Sequence, residues 1–254
     1  MRVLVTRPEP SAARTAERLC KLGHEAVRMP LFETVITATI ADLPPVAGIG
    51  GLIATSARAV LMFETADVIE TGLRDVPIHA VGSATAQAAT NSGFRDVRDG
   101  GGTAQALSKT LSDAWKCGPS ETGSTGSDGN RTSLVYLAGV PRTPVIEAAL
   151  AAENIGHSVI ECYKMTEISY STDFLKSNIL SPAPDVILFY SAGAARRFSA
   201  LADANGFGKA LDSTRFLCLS SAIAVELHPE WQDRMIVAAR PDEDSLIASL
   251  AELE

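Results

Sequence analysis

Short apolar runs alternate with segments of helical spacing along almost the whole of this 254-residue chain. The run Val3–Val5 is followed by a helical pattern that begins near Ser11 and ends at Gly23, and Ala26–Met29 forms the next apolar run. Connections of this length favour a βαβ unit with parallel strands. The alternation continues to the C-terminal region, so the sequence predicts an α/β fold with parallel sheets.

The chain also repeats itself in a fixed order. The sequence Gly23–Val27 recurs at Gly156–Ile160, Leu52–Ala57 recurs at Ile187–Ala192, and His79–Ala84 recurs at Leu217–Ala222. The two copies of each unit lie at a nearly constant distance along the chain, which indicates duplicated α/β halves rather than a solenoid.

Composition excludes several function classes. The net charge is −8, whereas nucleic-acid binding usually leaves a basic excess, so we expect no nucleic-acid partner. No apolar run is long enough to cross a membrane, and charge and proline follow too soon after Met1 for a signal peptide. The four scattered cysteines form no CxxC pair. We therefore expect a cytoplasmic protein without a membrane partner.

Motifs for common cofactors are also absent from the sequence. None of the four histidines lies at zinc-site spacing from another, and neither GxGxxG after the first strand nor GxxxxGK[ST] occurs. There is no GxSxG elbow. We expect neither a metal nor a nucleotide cofactor.

Small hydroxyl residues follow the predicted strands at the turns into helices. In parallel sheets these turns share the edge at which ligands bind, and helix N-termini there favour anions. The alternative is that each hydroxyl only caps its helix. The residues of this set are Thr55, Ser56, Ser83, Thr85, Ser191, Ser220 and Ser221.

Arginines lie close to the same turns, and one tyrosine follows a repeated strand. Arg7, Arg58 and Arg142 suit a polyacidic ligand, because a guanidinium binds a carboxylate through two hydrogen bonds. Surface salt bridges are the alternative for each arginine. Tyr163 follows the second Gly-His strand, where a phenol either packs locally or donates a proton.

These motifs together resemble the uroporphyrinogen-III synthase family. The resemblance spans nearly the whole chain in the family's order, and no single motif carries it. Its elements are Val3–Pro8, Gly23–Val27, Pro30–Glu33, Thr55–Val60, Val81–Ala86, Val135–Gly139 with Arg142, Glu161–Tyr163 and Ser191-Ala192.

The resemblance implies two similar parallel-sheet, flavodoxin-like domains joined by two extended linkers, with the substrate in a cleft between them. The first domain would combine residues 1–35 and 168–254, and the second would be an insertion of residues 36–167. The linkers would be Glu33–Thr37 and Lys164–Ile168. A Gly/Ser-rich loop at 117–133 would lie inside the second domain.

The family's reaction closes the linear tetrapyrrole hydroxymethylbilane into uroporphyrinogen III, with loss of water and inversion of the last ring, and it needs no cofactor. Tyr163 matches the tyrosine that assists departure of the hydroxyl, and Arg215 takes the place of a basic family residue. One departure is the turn at Ser220–Ala224, which lacks the family's glycine and threonines. The positions matched to substrate binding are Thr55, Ser56, Arg58, Thr85 and Arg142.

Two other functions stay open on the sequence alone. One is a non-catalytic two-domain protein that binds a small polyanion. The other is a degenerate family member that binds a tetrapyrrole without turnover, which only the altered Ser220 turn supports. In either enzyme or binding role we expect a monomer, and for the enzyme a transient hand-over of substrate from the bilane-forming enzyme.

Overall fold

The computed structural model describes residues 1–64, 72–116 and 133–253. The chain divides into two compact units. The first unit is Met1–Glu33 with Thr166–Glu254, and the second unit is Thr34–Met165. Of the loop predicted at 117–133, all but Ser133 lies outside the described residues. No helix in the described ranges is long and apolar enough to span a bilayer.

Strands and helices alternate through both units. The strands are β1 (Arg2–Val5), β2 (Glu25–Arg28), β3 (Phe32–Ile36), β4 (Ile49–Ala54), β5 (Ile78–Ala80), β6 (Val97–Asp99), β7 (Ser133–Val140), β8 (His157–Glu167), β9 (Val186–Phe189), β10 (Arg215–Cys218) and β11 (Met235–Val237). The α-helices are α1 (Ser11–Lys21), α2 (Ala57–Val60), α3 (Ser83–Asn91), α4 (Ala104–Lys116), α5 (Val145–Ala152), α6 (Thr172–Leu175), α7 (Ala192–Asn205), α8 (Ser221–Ala224) and α9 (Glu243–Ala248).

The first unit contains a five-stranded sheet in the order β11-β10-β9-β1-β2. All four strand pairs in this sheet are parallel, as predicted from the alternation of strands and helices. The chain leaves the sheet after β2 and returns at β9, which pairs directly with β1. Residues from both ends of the sequence therefore share one sheet.

The six-stranded sheet has the order β3-β8-β7-β4-β5-β6, and its pairs from β8 to β6 are parallel. The strands β3 and β8 include most of the two stretches predicted as extended linkers. Their amides pair Thr37 with Cys162 and Leu31 with Ile168, so these strands run antiparallel.

The repeated sequence units occupy equivalent sheet positions. Read from β2, the first sheet runs β2-β1-β9-β10-β11, and the corresponding run in the second is β8-β7-β4-β5-β6. The Gly-His repeats enter β2 and β8, the Leu52 and Ile187 repeats fall on β4 and β9, and the His79 and Leu217 repeats fall on β5 and β10. The prediction of two similar parallel-sheet halves is confirmed, and the second half is a circular permutation of the first.

Each sheet buries both of its faces. In β1, Leu4 packs into a cluster on one face, whereas Val3 and Val5 pack into a cluster on the other. In the second unit, Leu52 and Ile53 of β4 divide in the same way. Strands covered on both sides are continuously apolar, which is why central strands such as β9 lack an alternating pattern in the sequence.

His79 is a polar exception within the core of the second unit. Its side chain in β5 is almost fully buried, and its Nδ1 has no hydrogen-bond partner among the residues described. Burial is the main reason that its pKa falls to about 4, and the nearby Arg98 lowers it further. Histidine in the unfolded chain has a pKa near 6.5, so acid protonates the unfolded chain first.

We expect the free energy of unfolding to decrease as the pH falls from about 6.5 towards 4, by up to ~1.4 kcal/mol per pH unit from this histidine. Urea titrations followed by circular dichroism at several pH values measure this slope. His79→Leu should have a flatter slope than the unmodified protein. Equal slopes in the two proteins would show that His79 does not contribute.

Candidate active site

A cavity of about 210 Å³ lies at the edge of the second sheet where parallel strands end. Thr55 and Ser56 reach it from the turn after β4, and Arg142 reaches it from the turn after β7. Tyr163 projects from β8, the strand next to β7. The residues that line the cavity are Thr55, Ser56, Ala104, Tyr136, Gly139, Pro141, Arg142, Thr143, Val145, Ile146 and Tyr163.

A bulge in β8 sets the position of Tyr163. Glu161 pairs with Ala138 and Tyr163 pairs with Gly139, so Cys162 is an extra residue on the β8 side. Cys162 turns into the core, where its side chain is fully buried, and Tyr163 reaches the cavity one residue later. The bulge therefore directs the phenol towards the end of the neighbouring strand.

Gly139 leaves the space that the Tyr163 ring occupies. A Cβ atom added at Gly139 would overlap the end of that ring, with the ring carbon Cε2 only 2.7 Å away. No other residue type fits at this position without moving the tyrosine. Within the described part of the chain, the Tyr163 hydroxyl has no hydrogen-bond partner, so it is available to a ligand.

Tyr136 is a second phenol in the same cavity, and the sequence pattern predicts it only as part of a strand. Its hydroxyl lies 3.2 Å from that of Thr55, and one of the two donates to the other. Burial raises the pKa of Tyr136, and the charge of Glu147 adds to this, while Thr55 and Arg142 act in the opposite direction. The only sequence signal for this residue is a hydroxyl-bearing side chain in an otherwise apolar run.

Arg142 is held by two carboxylates of its own unit. Its Nε donates to Glu147 Oε1 at 2.7 Å, and its Nη1 donates to Glu161 Oε1 at 2.8 Å. These hydrogen bonds raise the pKa of Arg142 above its ordinary value. Glu147 is mostly buried, whereas the Glu161 side chain is 58% exposed, so the two partners are not equally fixed.

The hydroxyls of the turns differ in their roles. Ser56 and Ser191 hold equivalent positions and both cap helices, since their oxygens accept from the amides of Arg58 and Ala194. Ser220 occupies the cap position of α8 without a side-chain bond. For Ser56 and Ser191, the structure therefore shows the helix-capping contact that the sequence left open as the alternative to ligand binding.

The turn after β5 departs from the expected arrangement. Gly82, rather than Ser83, is the residue before α3, and Ser83 is the exposed first residue of that helix. Thr85 lies further along the first turn and is buried. Ser221 is likewise the exposed first residue of α8. Neither Ser83 nor Ser221 is the cap residue of its helix, so the capping alternative does not describe them.

Arg7 occupies the position in the first unit that corresponds to Arg142. Its Nη1 donates to Glu243 at 2.9 Å, and its guanidinium lies 4.3 Å from the centre of the Tyr190 ring. Thr15 and Tyr190 also donate to Glu243. Arg7 and Arg142 are therefore each paired with carboxylates of their own unit, which is the salt-bridge alternative left open by the sequence.

The third predicted arginine, Arg58, is half-buried in α2.

The structure does not support Arg215 as part of this arrangement. Arg215 is the first residue of β10, whereas Ser220 and Ser221 follow the end of that strand. A strand separates a residue at its amino end from the turn at its carboxyl end, so Arg215 lies at the opposite edge of the sheet. Its exposed side chain is placed away from the edge at which ligands bind in such sheets.

A larger depression of about 420 Å³ lies in the first unit, next to Lys209, Trp231 and Arg234. These residues precede β10 and β11, so the depression is at the amino ends of the strands. None of the residues predicted from the sequence lines it. We therefore take the smaller cavity of the second unit as the candidate site.

The cavity brings together Thr55, Ser56, Arg142 and Tyr163, with Arg58 in the adjoining helix. Arg7, Ser191, Ser220 and Ser221 belong to the first unit, and the cleft between the units remains a prediction. Across the described ranges, no three His, Cys, Asp or Glu side chains come together in a way that would hold a metal ion.

Solved structures with the same fold include two uroporphyrinogen-III synthases. The enzyme from Helicobacter pylori is 15% identical with a TM-score of 0.64 over 100% of both chains. A mutant enzyme from the extremely thermophilic bacterium Thermus thermophilus is 18% identical with a TM-score of 0.53, over 99% of this chain and 98% of that one. No curated protein matches the chain by sequence.

The family model described as uroporphyrinogen-III synthase HemD matches residues 13–248, a range that contains both sheets apart from β1 and every residue that lines the cavity. With that match over nearly the full length, the chain belongs to the uroporphyrinogen-III synthase family.

Proposed function

We propose that the chain performs the family's reaction without a cofactor, closing hydroxymethylbilane into uroporphyrinogen III with loss of water. The observation that carries this proposal is the convergence of Thr55, Arg142 and Tyr163 on one cavity in a chain that matches the family over residues 13–248. The family match does not favour either of the two binding-only alternatives.

The first step breaks the carbon–oxygen bond of the terminal hydroxymethyl group. The electron pair leaves with the oxygen, and the attached pyrrole nitrogen supplies electrons to the carbon, which gives a cationic azafulvene. We assign Tyr163 as the donor to the departing oxygen, because its hydroxyl is in the cavity and has no protein partner within the described residues. Water forms when that oxygen takes the phenolic proton.

Ring closure then returns the proton. The electron-rich last pyrrole attacks the azafulvene, rearranges so that the ring is inverted, and loses a proton from carbon when aromaticity is restored. That proton balances the one taken from Tyr163, so the phenol is regenerated and the net change is loss of one water. No redox partner is needed.

The remaining task is to hold a flexible chain in the conformer that leads to the inverted product. Carboxylates on the substrate are the groups available for this purpose, and a guanidinium is their natural partner. Arg142 donates to two glutamates, and a substrate carboxylate that binds this guanidinium through two hydrogen bonds competes with them. We propose that Glu161 is displaced, because it is the more exposed partner and exposed pairs contribute only ~0–1 kcal/mol.

Thr55 and Ser56 line the cavity, and we assign them to substrate contact together with Arg58, Ser83 and Thr85 of the neighbouring turns. The corresponding assignments in the first unit are Arg7, Ser191, Ser220 and Ser221. The cytoplasmic location, the monomeric state and the hand-over from the bilane-forming enzyme stay predictions.

Tyr163→Phe removes only the phenolic oxygen and tests its role as donor. We expect kcat to fall by about 100-fold, the usual scale for loss of a general acid, while the unfolding midpoint stays close to that of the unmodified protein. The measurement is cyclisation of synthetic hydroxymethylbilane with chromatographic separation of the type III and type I isomers.

Tyr170→Phe is the matched control, since that phenol bonds to Pro30 in the first unit and does not line the cavity. An unchanged rate in Tyr163→Phe would contradict the assignment. Formation of the type I isomer alone by the unmodified protein would contradict the proposed function itself.

Gly139→Ala tests the close approach of backbone and phenol. The added Cβ overlaps the free end of the Tyr163 ring, so the ring must move while the backbone keeps its place. We expect kcat to fall by about 100-fold, on the scale of a misplaced catalytic group, with little loss of stability. Gly48→Ala is the control, because no atom lies within 4 Å of a Cβ added there. Full activity in Gly139→Ala would show that the phenol's position is not critical.

Glu161→Gln tests whether this carboxylate competes with the substrate for Arg142. We expect KM for the bilane to fall about two- to five-fold with kcat unchanged, which matches the small contribution of an exposed pair. Glu17→Gln in α1 removes the same charge from an exposed site in the first unit and should leave KM unchanged. A higher KM in Glu161→Gln would instead mean that Glu161 positions Arg142 for binding.

A further inference from the structure

Tyr136 places a polar group where a strand of the core would ordinarily be apolar. It lies in β7, between β8 and β4, and only 2% of its surface is exposed. Its ring packs in the cluster that contains Ile53 and Ile146. Burying a phenolic oxygen is unfavourable unless it is hydrogen-bonded, so the hydroxyl of a tyrosine at this place should have hydrogen-bond partners.

The hydroxyl of Tyr136 has one partner in the described part of the chain, which is Thr55 at 3.2 Å. Two hydroxyl groups carry two hydrogens, and their mutual bond uses one of them. The second hydrogen has no acceptor among the residues described, and both side chains line the cavity. This pair of hydroxyls therefore has one O–H that can donate a hydrogen bond to a ligand in the cavity.

The free hydrogen is best placed on the tyrosine. A phenol is more acidic than an aliphatic hydroxyl and is the stronger donor, and a hydrogen bond accepted from Thr55 strengthens it further. Burial also raises the pKa of Tyr136, which keeps the phenol protonated at neutral pH. Tyr136 is thus suited to donate a hydrogen bond rather than to act as a base.

We propose that Tyr136 is a second phenolic donor of the active site, whose O–H binds the oxygen that leaves the substrate alongside Tyr163, while Thr55 donates to Tyr136. Tyr136 shares the departing oxygen's growing negative charge and keeps its own proton, so the proton that completes water still comes from Tyr163. This inference rests on the proposed function and adds a residue to it.

Three variants test the inference in the isomer assay with hydroxymethylbilane. For Tyr136→Phe we expect kcat to fall roughly tenfold, the loss of one hydrogen bond in the transition state, with KM unchanged. Thr55→Val keeps the Tyr136 O–H but removes the hydrogen bond that strengthens it, so we expect a smaller loss of kcat than in Tyr136→Phe, about two- to threefold, together with a higher KM. Tyr170→Phe, outside the cavity, should match the unmodified protein in both constants.

Circular dichroism and unfolding midpoints show that each variant is folded before rates are compared. An unchanged kcat in Tyr136→Phe would overturn the inference. Equal losses of kcat in Tyr136→Phe and Thr55→Val would also overturn it, because Tyr136 would then only position Thr55. The variants are compared only if the unmodified protein forms the type III product. If it does not, the proposed function itself fails, and that result is distinct from a failure of this inference.

Discussion

Parallel pairing of the strands is the constraint on which the other features of this protein depend. Apart from β3, the strands of each sheet run in one direction, so the turns that lead from them into helices lie at the same edge of the sheet. Thr55, Arg142 and Tyr163 are far apart in sequence but meet in one cavity because β4, β7 and β8 are neighbours. The chemistry at that edge follows from the order of the strands, and the helices serve mainly to cover the two faces.

One extra residue in β8, Cys162, sets the position of Tyr163 in the site. Cys162 is inserted in β8 opposite the junction of Ala138 and Gly139, and this shift brings Tyr163 over a residue that has no side chain. The bulge, the glycine and the phenol are three parts of one arrangement. Tyr136 of β7 and Thr55 of the turn after β4 line the same cavity, and Arg142 lies beside them with its guanidinium paired to Glu147 and Glu161.

Much of the fold is predictable from the sequence, since the Leu52 and Ile187 repeats and their capping serines depend on local pattern alone. Tyr163 and Arg142 can be singled out from their motifs. The partners of Arg142 cannot, because Glu161 lies on a different strand and its approach depends on register. A role for Tyr136 in the site is not predictable, because a tyrosine within an apolar run usually serves only to pack the core. Arg215 lies at the amino end of β10, away from the turns that carry the other candidate residues, and its role in binding stays a prediction.

The insertion of one unit within the other has a consequence for synthesis on the ribosome. The strand β1 pairs with β9, so the sheet of the first unit cannot be completed until residue 186 and those after it have emerged. All strands of the second unit precede that point. During synthesis, β1 of the N-terminal βαβ segment therefore stays unpaired on the side of β9 while the second unit assembles. The strand β1 is thus made before the second unit but completes its native pairing after it.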